Sequence, residues 1–197
     1  SDDFFLIHGP FGTGKTRTLH ELIRQEVRRG SRVLVTAESN AAVDNLLDGI
    51  AEDVECVRLG HPQRVSERNI RETLAYKLEN HPDYRMVIEK QERIDKLVEE
   101  REKHHKPTPQ LRRGLSDTQI LLNATKRRGA RGISPNVMIS MARWIEVNQK
   151  IDRLHRELEE LETEIANRII RESQVVLSTN SSAALEYIDN VSFDLAV

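Results

Sequence analysis

Eight residues near the start of the chain, Gly9-Pro10-Phe11-Gly12-Thr13-Gly14-Lys15-Thr16, combine three glycines, a lysine and a hydroxyl at the spacing G-x-x-x-x-G-K-[ST]. Without Cβ atoms in the way, a backbone of this kind can wrap around a phosphate and turn successive N–H groups towards its oxygens. A following helix adds the positive end of its dipole. Lys15 then reaches the β and γ phosphates, and the Thr16 hydroxyl suits Mg²⁺, a hard ion that takes oxygen ligands. The expected nucleotide-binding set is Gly9, Pro10, Gly12, Thr13, Gly14, Lys15, Thr16 and Arg17, with Lys15 and Thr16 as the chemically active pair and Thr16 as the metal ligand.

Two further polar stretches follow apolar runs. In Thr36-Ala37-Glu38-Ser39-Asn40, Ser39 and Asn40 are good helix N-caps, and they are also good hydroxyl and amide partners for phosphate. Ser178-Thr179-Asn180-Ser181-Ser182 has the same two readings. Glu38 is more naturally a solvated loop carboxylate than a metal ligand. His104 and His105 adjoin in a basic stretch without metal-ligand spacing, and Trp144 is expected to pack at the base of a helical stalk. Cys56 falls in an apolar run and is expected to be inert.

These residues need a scaffold. Phe4 to Ile7 reads as a buried strand feeding the glycine loop, and Leu19, Leu22, Ile23 and Val27 place one apolar stripe on the helix after it, closed by Gly30. Val33 to Val35, then Val43, Leu46, Leu47 and Ile50, repeat the strand-helix pattern, and Val54 to Leu59 forms a third strand. Alternating strands and helices predict an α/β fold with a parallel sheet covered on both faces.

After Pro62 the texture becomes rich in Glu, Arg and Lys, with no strand until Val175. Ser134 and Pro135 open a helix that runs to about residue 172, with Ile151, Leu154, Leu158, Leu161 and Ile165 in coiled-coil spacing. A shorter stripe, Val87, Ile94, Leu97 and Val98, predicts an antiparallel partner, giving a stalk roughly 40 Å long at 1.5 Å rise per residue. Residues 101–131 carry nine basic against two acidic side chains, with a capping box at Ser116 and Gln119. Such a basic tip is either a solvated end or an extension of an anionic-polymer track. Val191 to Val197 reads as a final strand.

Composition narrows the class. Charged residues are 31% and aromatics 4% of 197, which favours long solvated helices beside one ordinary core. A net charge of -2 leaves any basic surface local, a single cysteine forbids an internal disulfide, and no apolar run is long enough for a membrane span. A cytoplasmic setting is expected, or a nuclear one if the source is eukaryotic.

Taken together, four stretches resemble the first motor domain of superfamily 1 helicases, most closely the Upf-like branch that includes the Smubp-type helicases. GPFGTGKT is similar to that family's GPPGTGKT, TAESNAAVDNL to TAPSNxAVDNL, VRLGHPQRV to RLGHPxR, and VVLSTNSSA to VVxATxxxA, all in order. Phe11 departs from the usual proline. The resemblance implies a RecA-like P-loop core in two pieces, 1–62 and 173–197, interrupted at 63–172 by a helical coiled-coil stalk. It implies ATP and Mg²⁺ as cofactors, and single-stranded DNA or RNA held through Ser39, Asn40, Thr179 and Asn180. It also implies an Asp-Glu pair just beyond Val197, an adenine-reading glutamine before Ser1, and a second motor lobe as partner. Residues 1–197 alone are therefore expected not to hydrolyse ATP. A chromosome-maintenance-type P-loop ATPase and a non-catalytic nucleic-acid-binding module are the alternatives.

Overall fold

The structure, a computed structural model, describes residues 4–10, 12–182, 188 and 191–197. They fall into two compact units, Ser1–Pro82 with Thr163–Val197, and Asp83–Glu162.

The first unit is built on a four-stranded parallel sheet: β1 (Val33–Ala37), β2 (Cys56–Arg58), β3 (Val175–Thr179) and β4 (Leu195–Ala196), in the order β2-β3-β1-β4. Parallel strands need long crossovers, and helices supply them. The first, α1 (Lys15–Arg28), precedes β1, and α2 (Asn40–Asp48) joins β1 to β2. Side chains alternate across a strand, so Val33 and Val35 of β1, Cys56, Val175 and Leu177 share one face. Ile23 and Val27 of α1 and Val43, Leu46 and Leu47 of α2 cover it. Val57 and Val176, which alternate with them, are also fully buried, so the sheet is covered on both sides. Each such side chain contributes about 2 kcal/mol of burial.

Register decides what the sheet presents. Ala37 pairs with Thr179, and Arg58 with Leu177, so β1, β2 and β3 all end at one edge. Backbone bonds continue the pairing past the strands, from Asn180 N to Ala37 O at 2.9 Å and from Leu59 N to Leu177 O at 2.8 Å.

The expected strand at Phe4–Ile7 does not form. These residues have no strand structure, and Phe4, Phe5 and Leu6 are 78%, 84% and 73% exposed. A strand exists only by pairing with a neighbour, and these residues pair with none: β3 and β4 fill both places beside β1, and the outer edges of β2 and β4 are not joined by Phe4–Ile7. The last strand is also shorter than its apolar run, two residues rather than seven.

After β2, Arg58 and the residues beyond it pass through two 3-10 turns, Pro62–Arg64 and Glu67–Glu72, into α3 (Leu74–Glu79). The second unit holds α4 (Tyr84–Arg101), α5 (Pro109–Arg112) and α6 (Asp117–Thr125), and most of α7 (Pro135–Glu172). Ile94 of α4 packs with Val147, Ile151 and Leu154 of α7, flanked by Leu97, Val98 and Leu158. Lys90 pairs with Glu157, and Arg101 bonds Asn148; the rising and falling numbers make the two helices antiparallel. A separate cluster, with Leu115, Ile120 and Ile133 against Met138, Met141 and Ile145, gives the basic segment its own small core. The capping box at Ser116 and Gln119 is present in both directions, and Ser134 Oγ accepts from Val137 N.

Candidate functional site

The glycine loop is held by its own bonds. Gly12 and Gly14 take left-handed conformations (φ 80° and 85°), which a side chain would strain. A Cβ on Gly9 would come within 2.6 Å of Thr13 Oγ1. Thr13 Oγ1 donates to Pro10 O at 2.9 Å, and Thr18 N donates to Gly14 O at 3.0 Å where α1 begins. Lys15 Nζ lies over the loop, donating to Gly9 O at 2.5 Å and Pro10 O at 2.8 Å. Thr16 and Arg17 are exposed, and Phe11 lies outside the described residues.

A cavity of about 660 Å³ opens beside this loop, lined among others by Gly12, Thr13, Gly14, Arg17 and Thr18. The first turn of α1 adds N–H groups that no intrahelical carbonyl can satisfy. Close-approach glycines, helix N-terminus, ammonium and exposed hydroxyl together are the donor set a magnesium-bound triphosphate requires.

The other candidates sit at the common strand edge. Ser39 caps α2, its Oγ accepting from Ala42 N at 3.2 Å, yet remains exposed. Asn40 opens the helix and is half-buried. Thr179 is buried and its hydroxyl is occupied within its own turn, bonding Ser182 Oγ at 3.0 Å and Ser181 Oγ at 3.2 Å. Asn180 is exposed, its backbone tied to Ala37. The register thus brings the segments carrying all four together, while leaving Thr179 a turn-forming part. Glu38 is exposed.

Beneath this edge lies a buried polar network that sequence reading missed. Arg58 is fully buried at the end of β2. Its Nη2 donates to Asn40 Oδ1 at 2.8 Å, its Nη1 to Leu59 O, and its Nε to Asp44 Oδ1 at 3.4 Å. Burial lowers the Arg58 pKa from its ordinary value, and the Asp44 carboxylate opposes that. Asp44 Oδ2 accepts from Ser66 N at 2.9 Å, and Asn69 Nδ2 donates to Asp48 Oδ1 at 2.9 Å. A Cβ on Gly60 would stand 3.3 Å from Arg58 Nη1 and 4.0 Å from Ser182 Oγ, so the second loop meets the third here. The available signal was an arginine inside an otherwise apolar strand, a residue that is buried only when paired.

The AAA_11 family, described as an AAA domain, matches residues 1–197. The chain belongs to this AAA domain family. It is 44% identical over its whole length to an uncharacterized ATP-dependent helicase of Methanocaldococcus jannaschii, of which it covers 30%. It is 33% identical over 65% of its length to DNA polymerase alpha-associated DNA helicase A of Saccharomyces cerevisiae, covering 19% of that protein. Over 32% of its length it is 52% identical to DNA-binding protein SMUBP-2 of Rattus norvegicus, covering 6%. The chain therefore spans less than a third of each of these relatives, and the resemblance to Smubp-type superfamily 1 helicases holds.

The remaining special residues of this AAA domain play structural parts. Burial, reinforced by Glu72, pushes the Cys56 thiol up to about 12, the state of an inert core cysteine. His105 bonds Ser140 through its backbone N and Nδ1, both at 2.9 Å. Trp144 flanks the small cluster of the basic segment, rather than the base of a stalk, with Arg101 and Lys106 over its ring at 5.4 and 5.9 Å. Among the described residues no three His, Cys, Asp or Glu side chains gather as a metal site, and no helix is long and apolar enough to cross a membrane.

Proposed function

We propose that this AAA domain is the nucleotide-binding part of a larger ATP-dependent helicase motor. In this reading Gly9, Pro10, Gly12, Thr13, Gly14, Lys15, Thr16 and Arg17 hold the triphosphate of ATP, and the strand edge at Ser39, Asn40 and Asn180 meets the backbone of a single nucleic-acid strand. The observation that carries it is the loop geometry: two left-handed glycines, a third whose Cβ would displace the Thr13 hydroxyl, and an ammonium over the cradle at the mouth of α1.

Bound ATP with Mg²⁺ supplies the free energy of phosphoryl transfer. The chain's own residues would do three things. The backbone donors would fix the phosphate oxygens, Lys15 would exchange the Gly9 and Pro10 carbonyls for them, and Thr16 Oγ1 would join the metal shell. Contacts to the sugar-phosphate backbone position without reading sequence, as a translocating motor requires. Thr179 supports this surface through the Ser181 and Ser182 turn. DNA and RNA share the chemistry of that contact, the second motor lobe is the proposed protein partner, and the proposed setting is cytoplasmic, or nuclear in a eukaryote.

Equilibrium titration with a fluorescent ATP analogue, with and without Mg²⁺, tests the nucleotide half. Saturable binding enhanced by Mg²⁺ is expected, and no binding in a folded sample would overturn the reading. Titration with labelled single-stranded oligonucleotides of both sugars tests the other half.

A further inference from the structure

Asn40 and Arg58 are 18 positions apart in sequence and joined by one bond, Arg58 Nη2 to Asn40 Oδ1 at 2.8 Å. A guanidinium carries donors only, so the amide atom facing it must be the oxygen. That fixes the amide: the Nδ2 group, with two donors and no partner among the described residues, is the end left for a ligand.

Arg58 itself has little freedom. Its three nitrogens are each engaged, by Asn40, by Leu59 O and by Asp44, and Asp44 is held in turn by Ser66 N and by Asn69, which donates to Asp44 O at 3.4 Å. A buried arginine bonded at each of its three nitrogens is a rigid support, whereas a free asparagine side chain would rotate and present acceptor and donor alternately.

We propose that Arg58 is a positioning residue for nucleic-acid binding, locking the Asn40 amide so that Nδ2 donates to a backbone phosphate oxygen. This rests on the reading that the strand edge carrying Asn40 meets the nucleic-acid backbone. Neither charge nor contact from Arg58 reaches the strand; its effect passes through Asn40.

The test is a double-mutant cycle read by fluorescence anisotropy of a fluorescein-labelled oligothymidylate and its ribose counterpart at fixed salt. Asn40→Ala and Arg58→Lys are each expected to weaken binding by about tenfold or more, the scale of one lost hydrogen bond to a charged group. Arg58→Lys in the Asn40→Ala background is expected to add no further loss, and ATP-analogue affinity is expected to stay within about twofold, as the two sites share no residue. Asn40→Asp, which keeps an acceptor for Arg58 but removes the donor, is expected to bind more weakly than Asn40→Ala.

Losses that add, or an Arg58→Lys protein that binds as the parent does, overturn the positioning role and leave the contact reading standing. An Asn40→Ala protein with unchanged affinity overturns the contact reading itself. Should Arg58→Lys not fold, the unmodified protein decides. The Asn40 side-chain amide resonance, assigned by its absence from the Asn40→Asp spectrum, is expected to shift on oligonucleotide addition, and an unmoved resonance overturns the proposal.

Discussion

Arg113 and Arg131 each donate to the other's backbone carbonyl, Arg113 Nη1 to Arg131 O at 2.8 Å and Arg131 Nη1 to Arg113 O at 2.7 Å. Both sit in the left-handed region, at φ 46° and 51°, and each is followed by a left-handed glycine. A Cβ on Gly114 would lie 2.7 Å from Arg131 Nη1, and one on Gly132 would lie 2.5 Å from Arg113 Nη1. The basic segment is thus latched by two Arg-Gly pairs, and part of its charge serves its own structure. Gly132→Ala or Arg131→Ala is expected to destabilise the second unit by about 1–3 kcal/mol, through strain and a lost charge-assisted bond. Trp144, the only tryptophan, flanks this cluster, so its fluorescence in a urea titration reads the shift.

Lys15 donates to two loop carbonyls, so its removal should spare the fold and cost the ligand. Lys15→Ala is expected to weaken ATP-analogue binding at least tenfold, corresponding to about 1.4 kcal/mol or more, with an unchanged circular dichroism spectrum. Equal affinity for the parent and the variant would place the triphosphate elsewhere.

Asp44 faces a buried guanidinium, and the side chain of Arg58 is fully inaccessible. Asp44→Ala leaves that cation without its counter-charge and is expected to destabilise the first unit by about 3–5 kcal/mol, whereas Glu38→Ala, at an exposed position, should stay within about 0.5 kcal/mol. Chemical denaturation followed by circular dichroism distinguishes the two.

Cys56 supplies a pH test. Its folded pKa is raised from 9.0 to about 12, first by burial and then by Glu72, so the folded state holds the thiol proton more tightly than the unfolded chain. Below pH 9 its contribution to stability is complete; as pH climbs from 9 towards 12 the unfolded state ionises first and stability falls. Thiol-reagent labelling near neutral pH is expected to be negligible in the folded protein and fast in urea.

What the sequence made legible were features whose cause is local. Glycine spacing announced the loop at Gly9–Thr16, the Ser116 and Gln119 box announced α6, and apolar periodicity announced α1, α2 and α7. Features whose cause is pairing stayed hidden. Phe4 to Ile7 has a strand's composition but pairs with no strand of the sheet, and Arg58 reads as an ordinary strand residue until β2 and α2 are laid side by side. Thr179 looks like a free hydroxyl until Ser181 and Ser182 fold back on it.

Phe4, Phe5 and Leu6 have a consequence for handling the protein. Three large apolar side chains in a row, each more than 70% exposed, form an adhesive strip of the kind that draws molecules together in concentrated solution. Light scattering that rises with protein concentration and subsides with mild detergent would be its signature, and a polar residue at Phe5 would make the preparation better behaved.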